Sequence, residues 1–135
     1  MQSFKFNGAR VSIGNVTNLG LCEAVYTGPM TSKAFETLRS EKLQATTQCS
    51  AYVVRLDRVL VAMGADEPLE KYSYAPNTPP GAMIVRLDQY EFWQAYALQA
   101  AELGVVRTVW LESNARLAYE WALRRCHLCT AKLQH

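Results

Sequence analysis

No run of roughly 18 or more consecutive apolar residues occurs in the chain, so no segment reads as a membrane-spanning helix. The formal net charge is only +2. A nucleic-acid binder concentrates lysine and arginine far more heavily, so no nucleic-acid partner is expected. There are two histidines, and one of them is the last residue, His135. No Ser-His or Cys-His catalytic set can be built around so few. Gly8, Gly14 and Gly20 are spaced too widely for a phosphate-cradling loop. The opening Met1-Gln-Ser-Phe-Lys-Phe-Asn-Gly8 has no basic start followed by an apolar core, so it does not read as a secretory leader. The expected compartment is therefore the cytoplasm, where the four cysteines would remain thiols. No cofactor and no metal are expected.

What is present fits a globular protein. Half of the 135 residues are hydrophobic and 19% are charged, which argues against disorder. A chain of this length buries a sufficient core without staples and is expected to form a single domain over residues 1–135.

Residues 4–28 read as strands. Phe4 and Phe6 alternate, Asn7-Gly8 suits the positive φ angles of a hairpin turn, and Ala9–Ile13 alternates again. Leu19–Tyr26 is a further strand, ended by Gly28-Pro29. Thr31 or Ser32 can cap a helix running to about Gln48, with Ala34, Phe35, Leu38 and Leu43 on its buried face. Ala51–Leu56 is a strand. Val59–Met63 fits either an extension of that strand or a helical turn. Residues 64–81, with Gly64, Pro68, Pro76, Pro79, Pro80 and Gly81, form a long loop.

Ala82–Leu87 is another strand. Asp88 and Glu91 have the spacing of a capping box opening a helix to Leu103, which Gly104 stops. Val105–Leu111 is a strand, and Ser113 caps a last helix over about 114–126. The resulting order is β-β-α-β-(loop)-β-α-β-α. Strands alternating with helices in the second half imply a small mixed sheet with right-handed crossovers, hence an α/β fold.

Three patterns invite a functional reading, and each has a plainer one. Cys126-His-Leu-Cys129 has the spacing of a redox pair or half a zinc site. A redox pair is activated at a helix N-terminus, whereas this one closes a helix, where the dipole opposes thiolate. At ~100° per residue, Cys126 and Cys129 fall on the side of Ala115, Ala118, Trp121 and Ala122, which makes them core packing. Val53-Val-Arg-Leu-Asp57 is echoed by Ile84-Val-Arg-Leu-Asp88. Ligands collect at the carboxyl ends of parallel strands, so Asp57 and Asp88 are candidate ligand-binding carboxylates, with the 64–81 loop as lid. The plainer reading is capping by Asp88 and local pairing with Arg55 and Arg86. Finally, Tyr90, Phe92, Trp93, Tyr96, Ala97, Ala100 and Leu103 span an arc of ~160° on one helix, wider than the ~100° that lying on a sheet requires. The excess either packs on the C-terminal helix near Trp121 or offers Tyr90, Trp93 and Tyr96 to a partner.

The second half resembles a known group. A strand and helix through Ala100-Ala-Glu-Leu-Gly104, then Val106-Arg-Thr-Val-Trp-Leu111, then Ala115-Arg-Leu-Ala-Tyr-Glu-Trp-Ala122 resemble bacterial SpoIIAA-like proteins, the broader group around STAS domains. The resemblance is carried mainly by residues 83–122 and consists of packing positions. It implies a small sheet with helices packed on it. Members that act as anti-sigma antagonists are phosphorylated on serine in an Asp-Ser-Ser/Thr-Gly-like turn after a central strand. Here the matching exit reads Leu56-Asp57-Arg58-Val59-Leu60, without that serine or glycine.

Two functions remain in view. One is a non-catalytic protein-interaction or regulatory domain, engaging a protein partner or a second copy of itself. The other is a small-molecule-binding protein or enzyme with its site near Asp57 and Asp88.

Overall fold

The computed structural model describes residues 2–16, 20–45, 49–61 and 78–126. Its framework is one sheet with strand order β1-β2-β3-β4-β6-β7 and a short β5 paired to the end of β3. The strands are β1 (Gln2–Phe6), β2 (Ala9–Asn15), β3 (Leu21–Met30), β4 (Ala51–Arg55), β5 (Val59–Val61), β6 (Gly81–Val85) and β7 (Arg107–Leu111). The helices are α1 (Ser32–Ala45), α2 (Tyr90–Glu102) and α3 (Ala115–Arg125). β1, β2 and β3 form an antiparallel meander, while β3, β4, β6 and β7 are mutually parallel. The mixed α/β sheet expected from the sequence is thus present.

Local chemistry explains most boundaries. Asn7 (φ 49°) and Gly8 (φ 86°) make the tight turn between β1 and β2. Thr31 accepts a hydrogen bond from the Ala34 amide through Oγ1 at 3.1 Å and opens α1. Gly104 (φ 82°) ends α2 in the left-handed region. β4 and β6, Ala-Tyr-Val-Val-Arg and Gly-Ala-Met-Ile-Val, are buried almost throughout because helices cover both their faces.

Some expectations are revised. Three strands precede α1, and β3 continues through Gly28-Pro29 to Met30, because Val59–Val61 pairs with Gly28–Met30 as β5. Neither Asp88 nor Ser113 caps a helix. Each lies in a single 3-10 turn, Leu87–Gln89 and Glu112–Asn114, and α2 and α3 begin without a side-chain cap. Residues 62–77, most of the Pro-rich loop, lie outside the described residues, as does Cys129.

The core has two compartments, one on each face of the sheet. On the first face Val11, Tyr26, Tyr52, Val54, Met83 and Val85 meet α1 and α2 through Phe35, Leu38, Trp93 and Tyr96. On the second face Leu21, Val53, Ala82 and Ile84 meet α3 through Ala118, Ala122 and Cys126. The alanine stripe lets α3 sit close to the sheet. α3 covers the β4–β6 region, and the second face of β2 and β3 carries an open depression lined by Ser12, Gly14, Asn15, Val16, Glu23 and Val25.

Candidate functional site

Side-chain alternation places Glu23 on β3 and Arg55 on β4 on the second face, beside Val53 and Leu21. Asp57 is the second residue after β4. Arg55 clasps it in a bidentate pair, Nε to Oδ1 at 3.1 Å and Nη2 to Oδ2 at 2.8 Å. Tyr119 reaches this group from α3. Its hydroxyl donates to Glu23 Oε2 and accepts from Arg55 Nη1 at 3.4 Å. Glu23, Arg55, Asp57 and Tyr119 therefore form one half-buried polar chain joining β3, the exit of β4 and α3.

The electrostatics follow from that geometry. The Asp57 hydrogen bond raises the Arg55 pKa further above its ordinary value, against partial burial and with help from Tyr119. Burial pushes the Asp57 carboxyl up, but Arg55, the local backbone and Arg58 together hold it below the usual aspartate value. Burial, then the Glu23 hydrogen bond, raise the Tyr119 phenol, with Arg55 opposing. A phenol with a raised pKa stays protonated and donates; it is no general base at neutral pH.

The second candidate carboxylate stands apart. Asp88 pairs with Arg86 at 2.9 Å, and its side chain is 60% exposed, against 9% for Asp57. Asp57 and Asp88 both follow parallel-strand ends, as the echo predicts, but each is engaged by the arginine two residues before it. Among the described residues no hydrogen bond joins the two pairs, and no group of three or more His, Cys, Asp or Glu side chains is arranged to hold a metal ion.

The aromatic helix face is spent inside the molecule. Trp93 is 0% exposed and Tyr96 2%, and Tyr90 is half-buried. Phe35 of α1 stacks at 5.2 Å from Trp93 and 5.6 Å from Tyr96. This corrects two expectations. Trp93 and Tyr96 offer no partner surface, and the excess arc is filled by α1, because α3 and Trp121 lie on the opposite face of the sheet.

The cysteines also diverge from expectation. Cys22 and Cys49 form a disulfide, with Cα atoms 5.9 Å apart. Cys126 is buried with its sulfur 3.0 Å from Ser50 Oγ, in the apolar environment that its helical position predicts.

Glu23 and Tyr119 were not among the sequence candidates. The available signals were a lone carboxylate in the apolar run Leu21–Tyr26 and a tyrosine flanking the Ala115, Ala118, Ala122 stripe.

No family model matches the chain, and no curated protein matches it. A solved structure similar to this chain is described as an uncharacterized protein from the DUF3478 family with a SpoIIAA-like fold, from Shewanella loihica PV-4. The identity is 12%, the match covers 90% of this chain and 99% of that one, and the TM-score is 0.48.

Proposed function

We infer that the chain is a non-catalytic protein-interaction or regulatory domain that lacks the phosphoacceptor serine of STAS anti-sigma antagonists. The observation that carries this reading is the internal use of its polar strand ends. Asp57 and Asp88, the best-placed candidates for ligand chemistry, are each held by their own arginine. Glu23 and Tyr119 are bonded to one another, so the cluster acts to fix α3 on the sheet. A carboxylate so engaged must give up its arginine before it can bind a cation or move a proton. A bacterial cytoplasmic setting belongs to the same reading. It requires the Cys22–Cys49 pair to be held as two thiols there, which the mass of protein alkylated at the moment of lysis reports directly.

The reading is tested in two assays on the full chain. In a thermal-shift panel of metabolites and divalent cations, no compound should shift the wild type in a way that Asp57→Asn or Asp88→Asn removes. In a native pull-down paired with sedimentation, the chain should associate with itself or with a defined protein. A strict monomer with an empty pull-down contradicts the reading, and so does a ligand shift abolished at either aspartate.

A further inference from the structure

The carboxylates around the sheet are not compensated alike. Asp57 and Asp88 are each paired with an arginine. Glu23 is bonded by the Tyr119 hydroxyl, a neutral donor, and among the described residues no cationic side chain forms an ion pair with it. Tyr119 occupies Oε2 and leaves Oε1 as an oriented, half-buried acceptor that carries uncompensated charge.

The space beside that carboxylate is kept open by sequence. In the antiparallel register of β2 and β3, Gly14 stands directly opposite Glu23. Glycine puts no side chain there, and a β-carbon at Gly14 would have no heavy atom within 4 Å. Strand alternation places Ser12, Gly14 and Val16 on the same face as Glu23 and Val25. With Asn15 at the strand end they line the depression, an open volume of about 470 Å³.

We propose that this depression seats a lysine side chain of a partner protein, with Glu23 as its counter-ion and the gap at Gly14 as its entrance. The inference rests on the interaction-domain reading above and gives the partner a chemistry. A metal ion asks for several oxygen or nitrogen ligands, and Glu23 is the one carboxylate among the described lining residues. An organic cation needs one carboxylate and an apolar wall for its stem, which Val16 and Val25 provide. An arginine fork matches two carboxylate oxygens, whereas an ammonium is a point charge that one oxygen satisfies. With Oε2 taken by Tyr119, lysine is the better match. The Ser12 hydroxyl, 3.1 Å from Ser3 Oγ, retains acceptor capacity for a second ammonium proton. Charge along the face favours a protein segment over a free diamine. Lys5 and Arg10 stand opposite one another at the far end of this face, four residues along β2 from Gly14 or ~13 Å. They repel a second cation and suit a carboxylate carried on the same extended segment.

The test is an NMR titration of the full chain at fixed ionic strength. The probe is the blocked peptide acetyl-Gly-Lys-Gly-Ser-Gly-Glu-Gly-amide, compared with its Nε-acetyl-lysine form, its arginine form and cadaverine. The lysine peptide should shift the amides of Gly14, Glu23 and Val25, and the acetylated form should not. Glu23→Gln still accepts from Tyr119 but loses the charge, so binding should weaken about tenfold. Gly14→Leu fills the depression from a position whose β-carbon meets nothing, so it should fold and lose the response. If that variant does not fold, Glu23→Gln decides. The arginine peptide should bind less well than lysine to the wild type and recover in Tyr119→Phe, which frees Oε2; a purely structural Glu23–Tyr119 link gives no such reversal. Silent amides, or equal shifts from the acetylated peptide, overturn the proposal. Cadaverine binding as tightly as the peptide overturns it too, because the site then belongs to a free amine. A chain that captures a defined protein yet ignores lysine sinks the lysine seat alone; a strict monomer with an empty pull-down sinks the interaction reading with it.

Discussion

The Tyr119 hydroxyl on α3 donates to the Glu23 carboxylate on β3, tying residues 96 apart in sequence. α3 otherwise rests on the sheet through small side chains, Ala118 and Ala122, which bring little apolar area of their own. The polar link therefore sets where the helix sits. Tyr119→Phe keeps the ring and removes the donor, leaving Glu23 and Arg55 short of one partner in a half-buried site. Chemical denaturation should show a loss of about 1–2 kcal/mol with an unchanged m-value. Glu23→Gln in the Tyr119→Phe background should then cost much less than in the wild type, because the two changes remove one interaction.

Asp57 links stability to pH in a defined direction. Its pKa in the fold lies below the usual aspartate value, so the folded state prefers the carboxylate. That contribution is fully present above the unfolded value near ~3.9 and is lost as pH falls through the folded pKa. Asp57→Asn should destabilise the protein by about 1–2 kcal/mol at pH 7, since the pair is bidentate but Arg55 is partly solvated. The gap between variant and wild type should shrink steadily in urea titrations carried below pH 4. A gap of constant size from pH 7 to pH 3 would show that the Arg55 pair contributes no charge-dependent stability.

The local devices of this fold were legible because each is written in a few adjacent residues. Asn7-Gly8 specifies its turn, Thr31 its cap, Gly104 its helix end, and the Arg-x-Asp echoes specify local ion pairs at two strand exits. The placement of α3 was not legible. The right-handed crossover rule fixes α2, which lies between parallel strands β6 and β7, but α3 has no following strand among the described residues to dictate its face. Helical periodicity put Trp93 and Tyr96 on one apolar face without saying whether a partner or the molecule itself covers it, and α1 proved to be the neighbour. The Glu23–Arg55–Asp57–Tyr119 chain draws on three elements distant in sequence, so no local spacing encodes it. Cysteine spacing likewise carries no connectivity, and compartment reasoning pointed to thiols where the fold brings Cys22 and Cys49 together.

That pair gives a third prediction. The Cys22–Cys49 bond closes a loop with a sequence separation of 27 that contains α1 and the Phe35 contacts to α2. On chain-entropy grounds such a closure contributes about 3–4 kcal/mol. The Cys22→Ala, Cys49→Ala double variant, or wild type held in dithiothreitol, should lose stability of that order relative to oxidised wild type. Dithiothreitol should leave the double variant unchanged, since that variant lacks the Cys22–Cys49 bond. Equal unfolding curves for oxidised and reduced wild type would mean that the bond carries no stability.

Two glycines on neighbouring strands give the sharpest contrast in stability. Gly28 in β3 has φ +86°, and a β-carbon there would collide with the Gly8 carbonyl oxygen in the β1–β2 turn and with the Ala9 backbone. Gly28→Ala therefore imposes a left-handed backbone on a side-chain residue and pushes the hairpin off β3. The expected cost is at least about 2 kcal/mol. Gly14 in β2 has no heavy atom within 4 Å of its would-be β-carbon and no positive φ. Gly14→Ala removes strand-interior flexibility in the unfolded chain at no steric cost, so it should be neutral or stabilise by up to about 1 kcal/mol. Thermal melts of the two single variants beside the wild type test the pair of expectations together. A Gly28→Ala variant as stable as Gly14→Ala would show that β3 does not pass Gly28 in the conformation that joins it to β5.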